Sequence, residues 1–204
     1  LQNTSIPLNF SYNKEKLGYV ITGEWSKKTY LDGSKLRETS ILFDSGNENY
    51  NTIPPNEVID QSNDCSLVFL TSNETINGVQ IKEYNKIGSN LVVDMSSDIA
   101  SRKFLWDNLV CVYAGAQKNL GTSGVTVVIG DKNKLVDYNL RSYLNFVNHI
   151  EESSLYNTPP IASIVVLNQM IKWMMKNGGV EYFDKESIKK ASILYLSLIH
   201  ISEP

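Results

Sequence analysis

Lys118 and Asp94 are the residues whose types and spacing first suggest chemistry. Lys118 stands between two amides, Gln117 and Asn119, just past the apolar run Val110-Cys111-Val112-Tyr113 and the small residues Ala114-Gly115-Ala116. Asp94, 24 residues earlier, closes the run Leu91-Val92-Val93. Each sits where a buried strand opens into a loop, a common place for reactive groups in α/β proteins. An amine and a carboxylate presented from one sheet edge match the needs of a carbanion-stabilising cofactor such as pyridoxal phosphate. That cofactor takes a lysine on its aldehyde, a carboxylate to keep the ring nitrogen protonated, donors for its phosphate and a flat group over the ring. The small residues 114–116 then read as room for a planar ring. Both residues also admit plainer readings, Asp94 as a helix N-cap or loop hydrogen bond and Lys118 as a solvated ammonium, and spacing alone does not choose.

The elements that would position them follow from the apolar pattern. Runs at 19–21, 67–70, 91–94, 110–113 and 125–129 are continuous rather than alternating, which predicts strands covered on both faces, as in a parallel sheet. "TSNETING" after the second run supplies turn chemistry, and "ILFDSGNENYNTIPPNEVID" reads as one brief strand and a polar loop. A short helix is expected from Ser26 to Leu36, packed through Leu31 and Leu36, with Trp25 exposed before it. Ile164, Leu167, Ile171, Met174 and Met175 recur at helical spacing between Pro159-Pro160 and Gly178-Gly179, which predicts a helix. The fold class is α/β.

Composition narrows the function. The 204 residues, 42% hydrophobic and 20% charged, suit one large domain. A net charge of −3 with scattered Lys and Arg argues against nucleic acid, and no apolar run approaches the roughly 20 residues of a membrane span. Cys65 and Cys111, both beside apolar neighbours, read as reduced buried thiols in a cytoplasmic protein. Asn-x-Ser/Thr triplets at Asn3, Asn9 and Asn73 are expected by chance in an Asn-rich chain. A first residue Leu1 without a leader suggests an internal cut, with a lost organellar transit peptide left open. Residues 196–204, "LSLIHISEP", resemble the translation of a sequencing-library adaptor and are set apart from the native domain, 1–195. That leaves His149 as the one native histidine, read as a surface imidazole; no metal site is expected.

The blocks "GEWSKK", "NETI.G", "VVDMSSD", "SR", "YAGAQKN.G.SGVTVVI", "SLYNTPP" and "IKWMMKNGGVE", in that order, closely resemble the phosphoserine aminotransferase family, class V pyridoxal-phosphate enzymes of fold type I. The resemblance runs from about Ser5 to Tyr195 and implies the large cofactor-binding domain, a mostly parallel sheet covered by helices, without its small C-terminal domain. It implies Lys118 as the Schiff-base lysine, Asp94 on the pyridinium nitrogen, Trp25 stacked on the ring and Thr75 near the phenolic oxygen. Gln117 would reach the cofactor phosphate, and Asn157 and Thr158 would reach that phosphate from the partner subunit of a homodimer with shared sites. Ser96 and Arg102 lie in matching blocks without an assigned contact. The reaction implied moves an amino group between glutamate and 3-phosphohydroxypyruvate, giving phosphoserine and 2-oxoglutarate. Residues for the substrate's phosphate and carboxylate would lie outside the chain, whose isolated form is expected to be inactive and to expose apolar surface. Departures from the family pattern are Gly121-Thr122 for Gly-Pro, and Lys103 where "SRP" has proline. Alternatives are a related class V enzyme, of alanine–glyoxylate transaminase or cysteine desulfurase type, and an inactive truncated product.

Overall fold

In a computed structural model describing residues 1–55, 64–84, 87–136 and 140–202, the apolar runs become one six-stranded sheet. The chain runs α1 (Gln2–Phe10), β1 (Leu17–Ile21), α2 (Glu24–Gly33), β2 (Thr39–Asp44), β3 (Leu67–Thr71), β4 (Asn73–Glu74), β5 (Val79–Gln80), β6 (Leu91–Asp94), β7 (Leu109–Gly115) and β8 (Thr126–Gly130). It continues through α3 (Phe146–Glu151), α4 (Ile161–Lys176) and α5 (Gly179–Ser202). The sheet order is β2-β1-β3-β6-β7-β8, and β4-β5 form a small antiparallel hairpin. The second half of the polar loop after β2, residues 56–63, lies outside the described residues.

The central strands are apolar on both faces because both faces are covered. Leu17, Tyr19, Ile21, Leu67, Phe69, Val92, Cys111 and Tyr113 pack with Ile6 and Phe10 of α1. Val20, Val68, Leu70, Val93, Val112 and Ala114 form the other layer with Ile81, Tyr84, Met95, Ile99 and Leu120, reached by Leu167 of α4. Pairing is parallel from β2 to β7. Between β6 and β7 the register slips by one, so that Leu91 faces Leu109 but Val92 faces Cys111, and Asp94 stands beside Tyr113.

Three expectations change. The last run is an antiparallel edge strand, β8, and most of it is exposed: an apolar run alone does not distinguish a central strand from an edge. The helix after Trp25 begins at Glu24 and ends at Gly33, with Leu31 48% exposed; Ser26, Thr29 and Gly33 are its buried residues. Ala114 and Ala116, each 1% exposed, pack into the core, so their small side chains serve packing and do not themselves line an open pocket. α1 and α5 were not anticipated. Among the described residues no helix is long and apolar enough to cross a membrane.

Candidate active site

The site is assembled where β1, β3, β6 and β7 end. β1 leads through Thr22 and Gly23 into α2, whose first three N–H groups have no partner within the helix. The β4-β5 hairpin supplies them all. Glu24 N–H donates to Asn77 Oδ1 at 3.0 Å, Trp25 N–H to Glu74 Oε2 at 3.0 Å and Ser26 N–H to Glu74 Oε1 at 2.7 Å. Glu74 is fully buried, and a Cβ on Gly23 would stand 2.5 Å from its Cδ, so only glycine admits this approach. The Ser26 hydroxyl accepts from the N–H groups of Thr22 and Gly23 at 3.0 and 3.1 Å, closing the turn.

Residue 75 follows the buried Glu74 directly and is thereby held over the helix start. Thr75 Oγ1 accepts from the Trp25 indole N–H at 3.1 Å and from Lys118 Nζ at 3.2 Å. The Lys118 ammonium lies 5.9 Å from the Trp25 ring centroid, at the outer limit of a cation–π contact. Trp25 is 39% exposed, so one side of this amine, indole and hydroxyl cluster is open. Three residues drawn from three separate motifs thus meet.

Asp94 ends β6 beside Tyr113 of β7 and receives the Ser96 N–H on Oδ1 at 2.8 Å. Burial pushes its carboxyl above the ordinary value, against hydrogen bonds from Ser96 and Tyr113 and the nearby charge of Lys118. The Tyr113 phenol is itself raised well above its ordinary value, by burial first and then by Asp94; its hydroxyl also donates to Asn3 Oδ1 at 3.2 Å. Adjacent parallel strands therefore do present Asp94 and Lys118 from one edge of the sheet.

The remaining expected residues fare differently. Gln117 is exposed, and its amide folds back over Gly115, where a Cβ would meet Oε1 at 2.4 Å. Asn157 and Thr158 are exposed in the segment between α3 and α4, and no hydrogen bond joins them to the Lys118 cluster among the described residues. They line a separate cavity of about 610 Å³ with Phe10, Val128, Phe146 and His149. His149 is no bare surface imidazole: its Nε2 meets Tyr143 O at 3.1 Å and its ring packs edge-on against Tyr156.

Sequence reasoning missed Glu74, whose role depends on a helix that lies well before it in the chain, its partner Trp25 being 49 residues away. It also gave no contacts to Ser96 and Arg102. Ser96 Oγ accepts the Gly115 N–H at 3.0 Å, tying the loop after β6 to the end of β7. Arg102 pairs with the buried Asp98, which also accepts from the Ser72 hydroxyl, and donates to Ile81 O at 3.0 Å. Among the described residues no group of His, Cys, Asp and Glu could hold a metal ion.

Comparison with known proteins places this arrangement. A model of the aminotransferase class-V family matches residues 22–203. The phosphoserine aminotransferase of Niallia circulans is 40% identical over 197 residues, 95% of this chain and 54% of the relative. The solved phosphoserine aminotransferase from Bacillus circulans subsp. alkalophilus has a TM-score of 0.89 at 39% identity, over 95% of this chain and 55% of that one. The PLP-bound phosphoserine aminotransferase from Trichomonas vaginalis has a TM-score of 0.87 at 28% identity, over 95% and 56%. The chain spans about half the length of the curated relatives it matches. Fold and family match agree: the chain belongs to the class-V aminotransferases.

Proposed function

We propose that this chain is the cofactor-holding portion of a pyridoxal-phosphate-dependent phosphoserine aminotransferase, which exchanges an amino group between glutamate and 3-phosphohydroxypyruvate to give O-phospho-L-serine and 2-oxoglutarate. The observation that carries the reading is the meeting of Lys118 Nζ, the Thr75 hydroxyl and the Trp25 indole at the sheet edge where Asp94 ends the adjoining strand. The donor set fits the cofactor. The amine is exposed, the aromatic face is open on one side, and the carboxyl is half-buried at the end of the adjoining strand.

Pyridoxal phosphate, when bound, supplies the electron sink that lets an amino acid release its α-proton. Lys118 would hold the cofactor at its aldehyde carbon, and its amine would be the base that carries the substrate's α-proton. Asp94 would pair with the ring nitrogen and keep it protonated, a cationic partner favouring the charged carboxylate against the desolvation that raises its pKa. Thr75 already accepts two hydrogen bonds, so its own hydrogen is left to donate to the ring oxygen. Trp25 covers the ring face and excludes water from it. Gln117 and, from a second copy of the chain, Asn157 and Thr158 bind the phosphate. The exposure of Asn157 and Thr158 and their separation from Lys118 in one chain support a homodimer with shared sites, as do the exposed Ile164, Val165 and Trp173 of α4.

In this reading residues 1–195 are the large cofactor-binding domain of a cytoplasmic enzyme, consistent with two unpaired buried thiols. Residues 196–204 are a foreign extension of α5, where Leu196, Leu198 and Ile201 are at least half exposed; because the family match reaches residue 203, resequencing the gene's end decides this. A desulfurase is disfavoured. Its chemistry needs an exposed reactive cysteine, whereas Cys111 is 0% exposed, its thiol pushed up to about 12 by burial, and Cys65 is raised likewise. Borohydride reduction of the complete cofactor-loaded protein followed by peptide mapping should label Lys118. A label on Lys27 or Lys28 overturns the assignment.

A further inference from the structure

We propose that Glu74 is a positioning residue of this site: its buried carboxylate fixes the start of α2 so that the Trp25 indole and Lys118 share one acceptor, Thr75 Oγ1. The proposal deepens the reading above and rests on it for its catalytic consequence. Neither Trp25 nor Thr75 sits in the middle of a regular element. Trp25 is the second residue of α2, where a helix frays most readily, and Thr75 follows a two-residue strand. What holds both is one side chain. Its two oxygens take the Trp25 and Ser26 N–H groups at 3.0 and 2.7 Å, while its backbone carries Thr75 next in the chain. Asn77, from the same hairpin, takes the Glu24 N–H at 3.0 Å.

The geometry requires two acceptors and no donor. The backbone offers two N–H groups, and a carboxylate answers both; an amide of the same shape answers one and turns an NH₂ group against the other. A shift of the helix start moves the indole off the hydroxyl it shares with Lys118. The Gly23 contact sets the same condition from the opposite side, since a methyl group there would collide with the Glu74 carboxylate at 2.5 Å.

The test uses the complete protein with Glu74→Gln and, as a second approach to the same contact, Gly23→Ala. In the cofactor-free form, nitrogen-15 NMR should show a displaced Trp25 indole N–H resonance and at least tenfold faster hydrogen exchange at the Trp25 or Ser26 amide. In the loaded form, visible circular dichroism of the bound cofactor should fall by half or more while borohydride still labels Lys118 fully. The kcat should fall about tenfold or more with a smaller change in KM. Loss of stability alone, with the indole resonance, the dichroism and kcat unmoved in a folded variant, overturns the proposal. If wild-type Lys118 takes no label, the functional reading falls, and the cofactor-free arm still decides the clamp.

Discussion

Two stretches carry residues expected to touch one phosphorylated cofactor, and the fold treats them in opposite ways. At the sheet edge, Trp25, Thr75 and Lys118 are already in hydrogen-bond contact, with Asp94 on the neighbouring strand. Between α3 and α4, Asn157 and Thr158 stand exposed beside a cavity that none of those four residues lines. The first group sits on short segments directly after strands buried on both faces, with Glu74 tying two of them together. The second lies in the exposed segment between two helices. In the proposed reading the chemistry is built into the sheet of one chain, and part of the phosphate binding comes from a second copy.

The sharpest way to break this contrast is at the sheet edge. In the complete protein, Lys118→Ala should lower kcat by at least about 10⁴-fold, the top of the range for a lost proton-transfer group, and abolish the borohydride label. Asp94→Asn should cost about 10²–10³-fold in kcat, as for a preorganised charge removed from a buried site. The same substitution should stabilise the cofactor-free protein at neutral pH. A carboxyl whose folded pKa lies above its unfolded one favours the fold below the unfolded value and loses that contribution as pH rises through the folded value. The gain in melting temperature from Asp94→Asn should thus grow as pH rises through the folded value and vanish as pH falls toward about 4; thermal melts from about pH 4 upward check it.

Thr75→Val, which removes the acceptor shared by Trp25 and Lys118, should reduce kcat about tenfold, a cost of ~1–1.5 kcal/mol. On the other side of the comparison, Asn157→Ala with Thr158→Ala should leave stability within about 0.5 kcal/mol, as for exposed positions, yet raise the cofactor's Kd in the assembled enzyme. Co-expression with the Lys118→Ala chain should restore activity through mixed dimers. A failure to complement would mean that each chain serves its own site. The smallest effect is expected at His149→Ala, under about 1 kcal/mol for the lost Tyr143 and Tyr156 contacts, with kcat unchanged.

The sequence disclosed what local physics imposes. Continuous apolar runs follow from burial on both faces, so β1, β3, β6 and β7 were legible, as was the apolar stripe of α4. Lys118 and Asp94 were legible as strand-end residues, and the ordered blocks around them supplied the chemistry. β4 and β5 were not, because two residues leave no period to read. Glu74 looked like any polar turn residue until α2 arrived above it. β8 deceived because its valines resemble a central strand while the sheet ends there. The alanines flanking Gly115 deceived for the complementary reason: small side chains serve tight packing as readily as an open pocket.

The slip in register between β6 and β7 sets the phase of the strand that leads to Lys118. Val110 and Cys111 are neighbours in sequence, yet both pack into the layer shared with α1, and only after them does alternation resume, with Tyr113 on that side and Ala114 on the other. Point substitutions there alter packing by increments. Deleting either residue removes the doublet and restores strict alternation, leaving Val112 opposite Val93 and Tyr113 opposite Asp94. The chain can therefore lose one residue at 110–111 and still deliver Lys118 to the same side, whereas a single deletion between residues 112 and 115 should exchange the faces of all that follows and abolish the borohydride label on Lys118.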